Sequence, residues 1–127
     1  MNTIFILEKD DLLRDNIRVL LKAEGFYCLT FKNGLEALRT IYKRIIPDII
    51  ISAITLPIYD GRRIYEKLKM DSKFKHIPFI LLTEKDENDS LIKTFRIEPE
   101  EYLSKPFKSQ ELLDKVKNKL ECHISHN

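Results

Sequence analysis

Two kinds of hydrophobic pattern alternate along the chain. Short continuous apolar runs are followed by segments whose apolar residues recur every three or four positions. Thr3 to Leu7 reads TIFIL, a run without polar alternation, as expected of a strand covered on both faces. Asp10 or Asp11 can cap a helix in which Leu13, Ile17, Leu20 and Leu21 recur until Gly25. Tyr27 to Phe31 predicts a second strand. Asn33 then opens a helix with Leu35, Leu38, Ile41 and Tyr42 on one stripe, ending before Pro47. Ile49 to Ser52 is the third strand, and Asp60 caps a helix carrying Ile64, Tyr65 and Leu68. Phe79 to Leu82 is a fourth strand, with Pro78 where it begins. A fourth helix spans about Asp86 to Phe95, although Asn88, Asp89 and Ser90 are weak helix formers. Glu101 to Ser104 is a short, partly polar fifth strand, and Ser109 caps a last helix carrying Leu112, Leu113, Val116 and Leu120.

Strand and helix alternating five times argue an α/β fold, a parallel sheet with helices on both faces. In open parallel sheets, ligands bind outside the C-terminal ends of the strands, where the strand order reverses. That rule selects a polar rim: Glu8, Lys9 and Asp10 after the first strand, Ala53 and Thr55 after the third, Thr83 and Glu84 after the fourth, and Lys105 after the fifth. One member does not fit. The buried run PDIIISA would deliver one chosen side chain to the rim, and the residue delivered is Ala53, which carries no chemistry.

Composition narrows the field. The 127 residues fit one domain, placed over residues 1–121, with a short C-terminal tail over 122–127. In that tail Cys122, His123 and His126 are too few and too irregularly spaced for a metal site. A net charge of +2 provides no strong field toward nucleic acid or membrane. Apolar runs are too short to span a bilayer, and Glu8 and Lys9 leave no room for a secretory segment. Cys28 and Cys122 do not make a disulfide framework. The expectation is a reduced, cytoplasmic protein.

The order and spacing of several short pieces give a sharper expectation. The apolar strand ending in acid, EGF at 24–26, NGLEAL at 33–38, PDIII at 47–51, LPIYDG at 56–61, IPFILLT at 77–83 and YLSKPF at 102–107 together resemble the receiver domain of two-component response regulators. The resemblance covers about residues 3–120. It implies a flavodoxin-like doubly wound (βα)5 fold with a five-stranded parallel sheet in the order 2-1-3-4-5, and a cis peptide at Lys105–Pro106. Such receivers take a phosphoryl group onto an aspartate at the end of the third strand. Acids after the first strand help hold Mg²⁺, while a hydroxyl after the fourth and a lysine after the fifth contact the phosphoryl oxygens. The chemistry needs those groups because the transferred group stays anionic through its transition state, so catalysis is positioning plus dense positive charge.

Carried over by resemblance, Glu8 matches the first acid, Thr83 the hydroxyl and Lys105 the lysine, with Pro106 behind it. Lys9 stands where the second acid belongs, and Ala53 where the phosphoacceptor belongs. No other acid replaces them. Asp48 lies roughly 16 Å away, at the wrong end of the strand. Asp60 is a helix cap, and Ser52 points to the face opposite Ala53. Thr55 can approach the rim, but its hydroxyl is not activated as a carboxylate is. Asp10 can replace a metal ligand only in part, beside the competing cation of Lys9, whose ammonium can neutralise Glu8 without a metal.

The resemblance therefore implies a degenerate pseudo-receiver, not an enzyme, with no cofactor and Mg²⁺ binding absent or weak. Glu8, Lys9, Asp10, Ala53, Thr55, Thr83 and Lys105 form its vestigial pocket, and Tyr102 matches the family's switch aromatic. The expected role is a phosphorylation-independent protein-interaction module in signal transduction. The face formed by the fourth helix, fifth strand and last helix is its expected contact surface. There Glu98, Glu100 and Glu101 lie near Lys108, Lys115 and Lys119, a pattern that suits a homodimer as well as a solvated surface. No nucleic-acid-binding or output domain is expected within these residues, and no membrane contact. Two rival readings remain: a phosphoacceptor regulator using an unorthodox residue, and a small-ligand or anion sensor using the emptied pocket.

Overall fold

The computed structural model describes residues 1–84 and 101–125, with side chains as far as Glu121. In chain order the elements are β1 (Thr3–Leu7), α1 (Asp11–Ala23), β2 (Tyr27–Phe31), α2 (Gly34–Tyr42), β3 (Ile49–Ala53), α3 (Gly61–Lys69), β4 (Phe79–Thr83), β5 (Tyr102–Ser104) and α4 (Ser109–Ser125). The helix expected over 86–95, and with it Glu98 and Glu100, lies outside the described residues. All strand pairings are parallel, in the order β2-β1-β3-β4-β5. The order expected from the resemblance is the order found.

Alternating side chains divide the sheet into two faces. Phe5, Leu7, Ile50, Phe79 and Leu81 pack under α2 and α3 with Leu38, Ile41, Ile64 and Leu68. Ile4, Ile6, Ile49, Ile51, Ile80 and Leu82 pack under α1 and α4 with Ile17, Leu21, Leu112 and Val116. Because helices cover both faces, every residue of β3 and β4 is buried, while edge strand β2 is half exposed. Burying one such large side chain contributes about 1.5–3 kcal/mol, so these two layers dominate stability.

The boundaries follow local chemistry. Asp10, Asn33 and Asp60 cap α1, α2 and α3, each accepting the backbone N–H three residues on, at 3.1, 3.0 and 2.9 Å. Ladder pairs Ala53↔Leu82 and Thr83↔Ser104 carry β3 and β4 one residue past the expected ends. Ser109 is the first helical residue of α4 rather than its cap. Glu111 reaches back instead, accepting the Lys108 N–H at 2.9 Å. Helix α4 also continues to Ser125, beyond the expected boundary at residue 121. On α2, Gly34 and Ala37 take core positions, while Tyr42 stands at the exposed end of the stripe assigned to it.

Candidate functional site

Register sets the geometry of the rim. Leu7 pairs with Ser52 and Ala53 with Leu82, so Glu8, Ala53 and Thr83 follow one another across the C-terminal ends of β1, β3 and β4. Lys105 follows Ser104, the partner of Thr83. The Lys105–Pro106 peptide is cis, as the resemblance implied.

Glu8 is the best-held polar group of the rim. It is 1% exposed, and each of its hydrogen-bonding groups has a protein partner. Its N–H donates to Phe31 O at 3.1 Å, and its carbonyl accepts Arg14 Nη1 at 2.9 Å. Its Oε2 accepts the Asp10 N–H at 2.9 Å, and its Oε1 accepts Lys105 Nζ at 2.6 Å. Lys105 thus reaches back past the ends of β4 and β3 to an acid 97 residues earlier. It also lies 3.5 Å from Glu84. A buried carboxylate keeps its charge only when paired and hydrogen-bonded, and here the protein supplies all of that.

Lys105 is therefore the cation that neutralises Glu8, which corrects the expectation that Lys9 would do so. Lys9 is exposed, and among the described residues no ion pair joins it to Glu8. As the chain leaves β1 the side chains of Glu8 and Lys9 diverge, one into the rim and one into solvent. Asp10 is taken up by the N-cap of α1, and Thr55 is exposed beyond β3. Thr83 is buried, its hydroxyl 3.4 Å from Ser104 Oγ, and its carbonyl accepts the Lys105 N–H at 2.8 Å. Tyr102 is half-buried against the layer under α2 and α3. Asp48 sits at the far end of β3, where Oδ2 accepts the Thr3 N–H at 2.6 Å.

Ala53 is 4% exposed. Behind it the backbone closes tightly onto α3. A Cβ on Gly61 would lie 1.9 Å from Ala53 O and 2.5 Å from Ser52 Oγ, so only glycine fits there. The cavity that reaches Lys105 has a volume of about 370 Å³ and is lined by Leu13, Glu84, Pro106 and Phe107 beside it. Thr83 does not line it. Among the described residues its walls are mainly apolar, with Glu84 as the acidic one.

The residues do not suit a divalent cation of the kind the resemblance implies. Mg²⁺ needs several hard oxygen donors in near-octahedral geometry. Here both oxygens of Glu8 are engaged, the next position is an ammonium, and Ala53 offers no donor. Among the described residues no three His, Cys, Asp or Glu side chains cluster as a metal site would require.

Arg14 is the participant that sequence reasoning missed. The signal was present: it lies four residues after the cap Asp10, on the helix face that leans back over the β1–α1 loop. It also donates to Asp11 at 2.6 Å, and that hydrogen bond, with Lys32 nearby, holds the Asp11 carboxyl below its usual range.

Residues 4–117 match the family model described as Response regulator receiver domain. The chain belongs to that family. As a receiver domain of two-component signal transduction, it is 34% identical over 115 residues to the phosphate regulon transcriptional regulatory protein PhoB of Pseudomonas aeruginosa, covering 91% of this chain and 50% of that protein. The receiver spans about half the length of the curated relatives it first matches. Among solved structures, the signal receiver domain of a signal transduction histidine kinase from Syntrophus aciditrophicus superposes with a TM-score of 0.85 at 27% identity, over 95% of this chain and 91% of that one. A receiver domain protein from Clostridium thermocellum gives 0.87 at 24% identity over the whole of both chains, a likeness of fold. No helix among the described residues is long and apolar enough to cross a membrane.

Proposed function

We propose that this receiver is a pseudo-receiver, a signalling module that engages protein partners without being phosphorylated. One observation carries the reading: the Glu8 carboxylate is closed by Lys105 and the Asp10 N–H, beside an alanine at the end of β3. Phosphoryl transfer to a receiver needs a nucleophilic carboxylate and a cation free to meet the incoming charge. Among the described residues of this rim an alanine takes the place of the nucleophile, and the lysine is already committed to a buried acid. The family relationship supports a place in two-component signalling, and the loss of reactive groups supports a contact role in place of a chemical one. The apolar, anion-walled cavity beside Lys105 does not favour an anion sensor.

The partner surface at the last helix is proposed in a narrower form than the sequence suggested. Glu101 is already used within the chain, accepting Tyr65 Oη at 2.9 Å with Lys119 Nζ at 3.8 Å. Those charges are therefore not held in reserve for a second copy.

Incubation with Mg²⁺ and acetyl phosphate, read by intact mass, tests the reading. The wild type is expected to gain no phosphoryl group, and a gain overturns the proposal. Ala53→Asp and Lys9→Asp are each expected to stay unlabelled, because each leaves the other defect in place. The double variant restores nucleophile and metal ligand together and is expected to gain one phosphoryl group, lost when Mg²⁺ is removed. Labelling of Ala53→Asp alone at the level of the double variant would show that Lys9 is not the block.

A further inference from the structure

At the end of the sheet away from the rim, helix α2 stops in an uncommon way. Its last turn closes with the Arg44 N–H on Ile41 O at 2.9 Å and the Ile45 N–H on Thr40 O at 3.2 Å. That pair of bonds places Arg44 in the left-handed region, at φ 72°. Glycine usually takes this position, because a Cβ there crowds the following carbonyl. The same turn borders a cavity of about 440 Å³. Its floor and walls are Ile41, Tyr42, Ile46 and Phe74, with Tyr42 set edge-on to Phe74 at 5.6 Å. Tyr42 is 48% and Ile46 45% exposed, so the apolar surface stands open to solvent.

The rim of this groove is positively charged. Arg44 and Lys73 line it, and Lys43 and Lys75 are exposed beside them in sequence. Among the described residues Asp71 is the one acid in the lining, and its carboxylate accepts the Lys73 N–H at 2.8 Å as part of the local turn. We propose that this groove is a docking site for a partner segment presenting bulky apolar side chains flanked by carboxylates. The aromatic pair and Ile46 receive the apolar side chains, and Arg44 and Lys73 meet the flanking acids. A glycine at position 44 would end α2 without strain but would remove a cation from the rim. Backbone strain of this kind clusters at functional sites. The groove lies at the opposite end of the sheet from Ala53, so the inference holds whether or not the rim accepts a phosphoryl group.

The test is fluorescence anisotropy on the whole chain with a labelled twelve-residue peptide. It carries Leu and Phe at i, i+3 and i+7, and Glu at the remaining positions. The control peptide has Lys in place of every Glu. Saturable binding of the acidic peptide is expected, with none of the basic one. Arg44→Gly and Lys73→Gln should each weaken binding about fivefold or more, since each removes a cation from the rim of the groove. Arg44→Gly should at the same time raise Tm, because glycine suits the left-handed turn. Loss of binding in a more stable protein cannot be explained by unfolding. Equal binding of both peptides, binding unmoved by the two variants, or no saturation by about 1 mM overturns the proposal. Capture by phosphatidylserine vesicles, or self-association, that is lost in the same variants assigns the groove to another occupant and also overturns it.

Discussion

Glu8 and Glu101 invite comparison because their local chemistry is nearly the same. Each is a carboxylate withdrawn from water, each faces one lysine, and each accepts one further hydrogen bond. Glu8 ties β1 to the loop after β5, through Lys105 at 2.6 Å. Glu101, just before β5, ties α3 to α4 through Tyr65 at 2.9 Å and Lys119 at 3.8 Å. They differ in depth: Glu8's side chain is 1% exposed and Glu101's 22%. They differ also in place, since Glu8 stands at the ligand-binding rim of a parallel sheet and Glu101 at the beginning of an edge strand. An ion pair does not declare its purpose by its own geometry. Depth decides how much its loss costs, and place decides whether chemistry was ever on offer there.

The comparison can be broken most forcefully at Lys105. Lys105→Met removes the cation and leaves Glu8 buried without it, which should cost about 3–5 kcal/mol of unfolding free energy, read from urea melts. Adding Glu8→Gln removes the stranded charge and should return most of that loss, a strong non-additivity for neighbouring sites. If Lys105→Met costs no more than a surface substitution, Lys105 is not what keeps the buried Glu8 carboxylate compensated.

The same operation at the other carboxylate should be milder. Tyr65→Phe deletes one hydrogen bond to a partly exposed acid and should cost about 1 kcal/mol at neutral pH. Burial first, and then the charge of Glu101, push the Tyr65 phenol above its ordinary value. A group raised in the folded state stabilises below its unfolded pKa, about 10 for tyrosine, and that contribution is lost as pH climbs toward the folded value. The contribution of Tyr65 should therefore fade above about pH 10, so the stability gap between the wild type and Tyr65→Phe narrows there. Lys119→Met, at the longer and wetter contact, should change stability by about 0.5 kcal/mol or less. A loss at Lys119 matching that at Lys105 would show that depth is not the deciding variable.

Much of this was legible from the sequence, for a definite reason. Continuous apolar runs such as IIIS and FILLT have the length and residue types of strands covered on both faces, and helical spacing on α1 and α4 indicates which residues meet them. The emptiness at Ala53 was legible too, because strand geometry says which residue reaches the rim. The partner of Glu8 was not. The sequence sets Lys9 beside it, while the real cation is brought by strand order from 97 residues away. The groove was missed for a related reason. Helical spacing assigned Tyr42 to the core stripe, but the helix ends there, and Phe74 arrives from a polar turn that showed no periodicity.

The smallest expected effect is the most specific to the rim. A ligand that binds only the folded state adds about 2.7 kcal/mol when present at a hundredfold excess over its Kd. A receiver rim with free acids and an aspartate on β3 has the oxygen donors for Mg²⁺ to act in this way. Here the Glu8 carboxylate is closed by Lys105 and the Asp10 N–H, and the next residue along the chain is Lys9, which offers no oxygen donor. To bind, Mg²⁺ must displace Lys105 from Glu8, and that leaves an ammonium near the metal. Millimolar MgCl₂ should therefore shift Tm no more than a monovalent salt of equal ionic strength. Glu101 serves as the internal control, since its lysine is neither as close nor as deep and it stands at the other end of the strands. A saturable Mg²⁺ shift that survives Glu101→Gln and disappears in Glu8→Gln would show that the rim still holds a metal, and that the Glu8–Lys105 pair opens more easily than its burial implies.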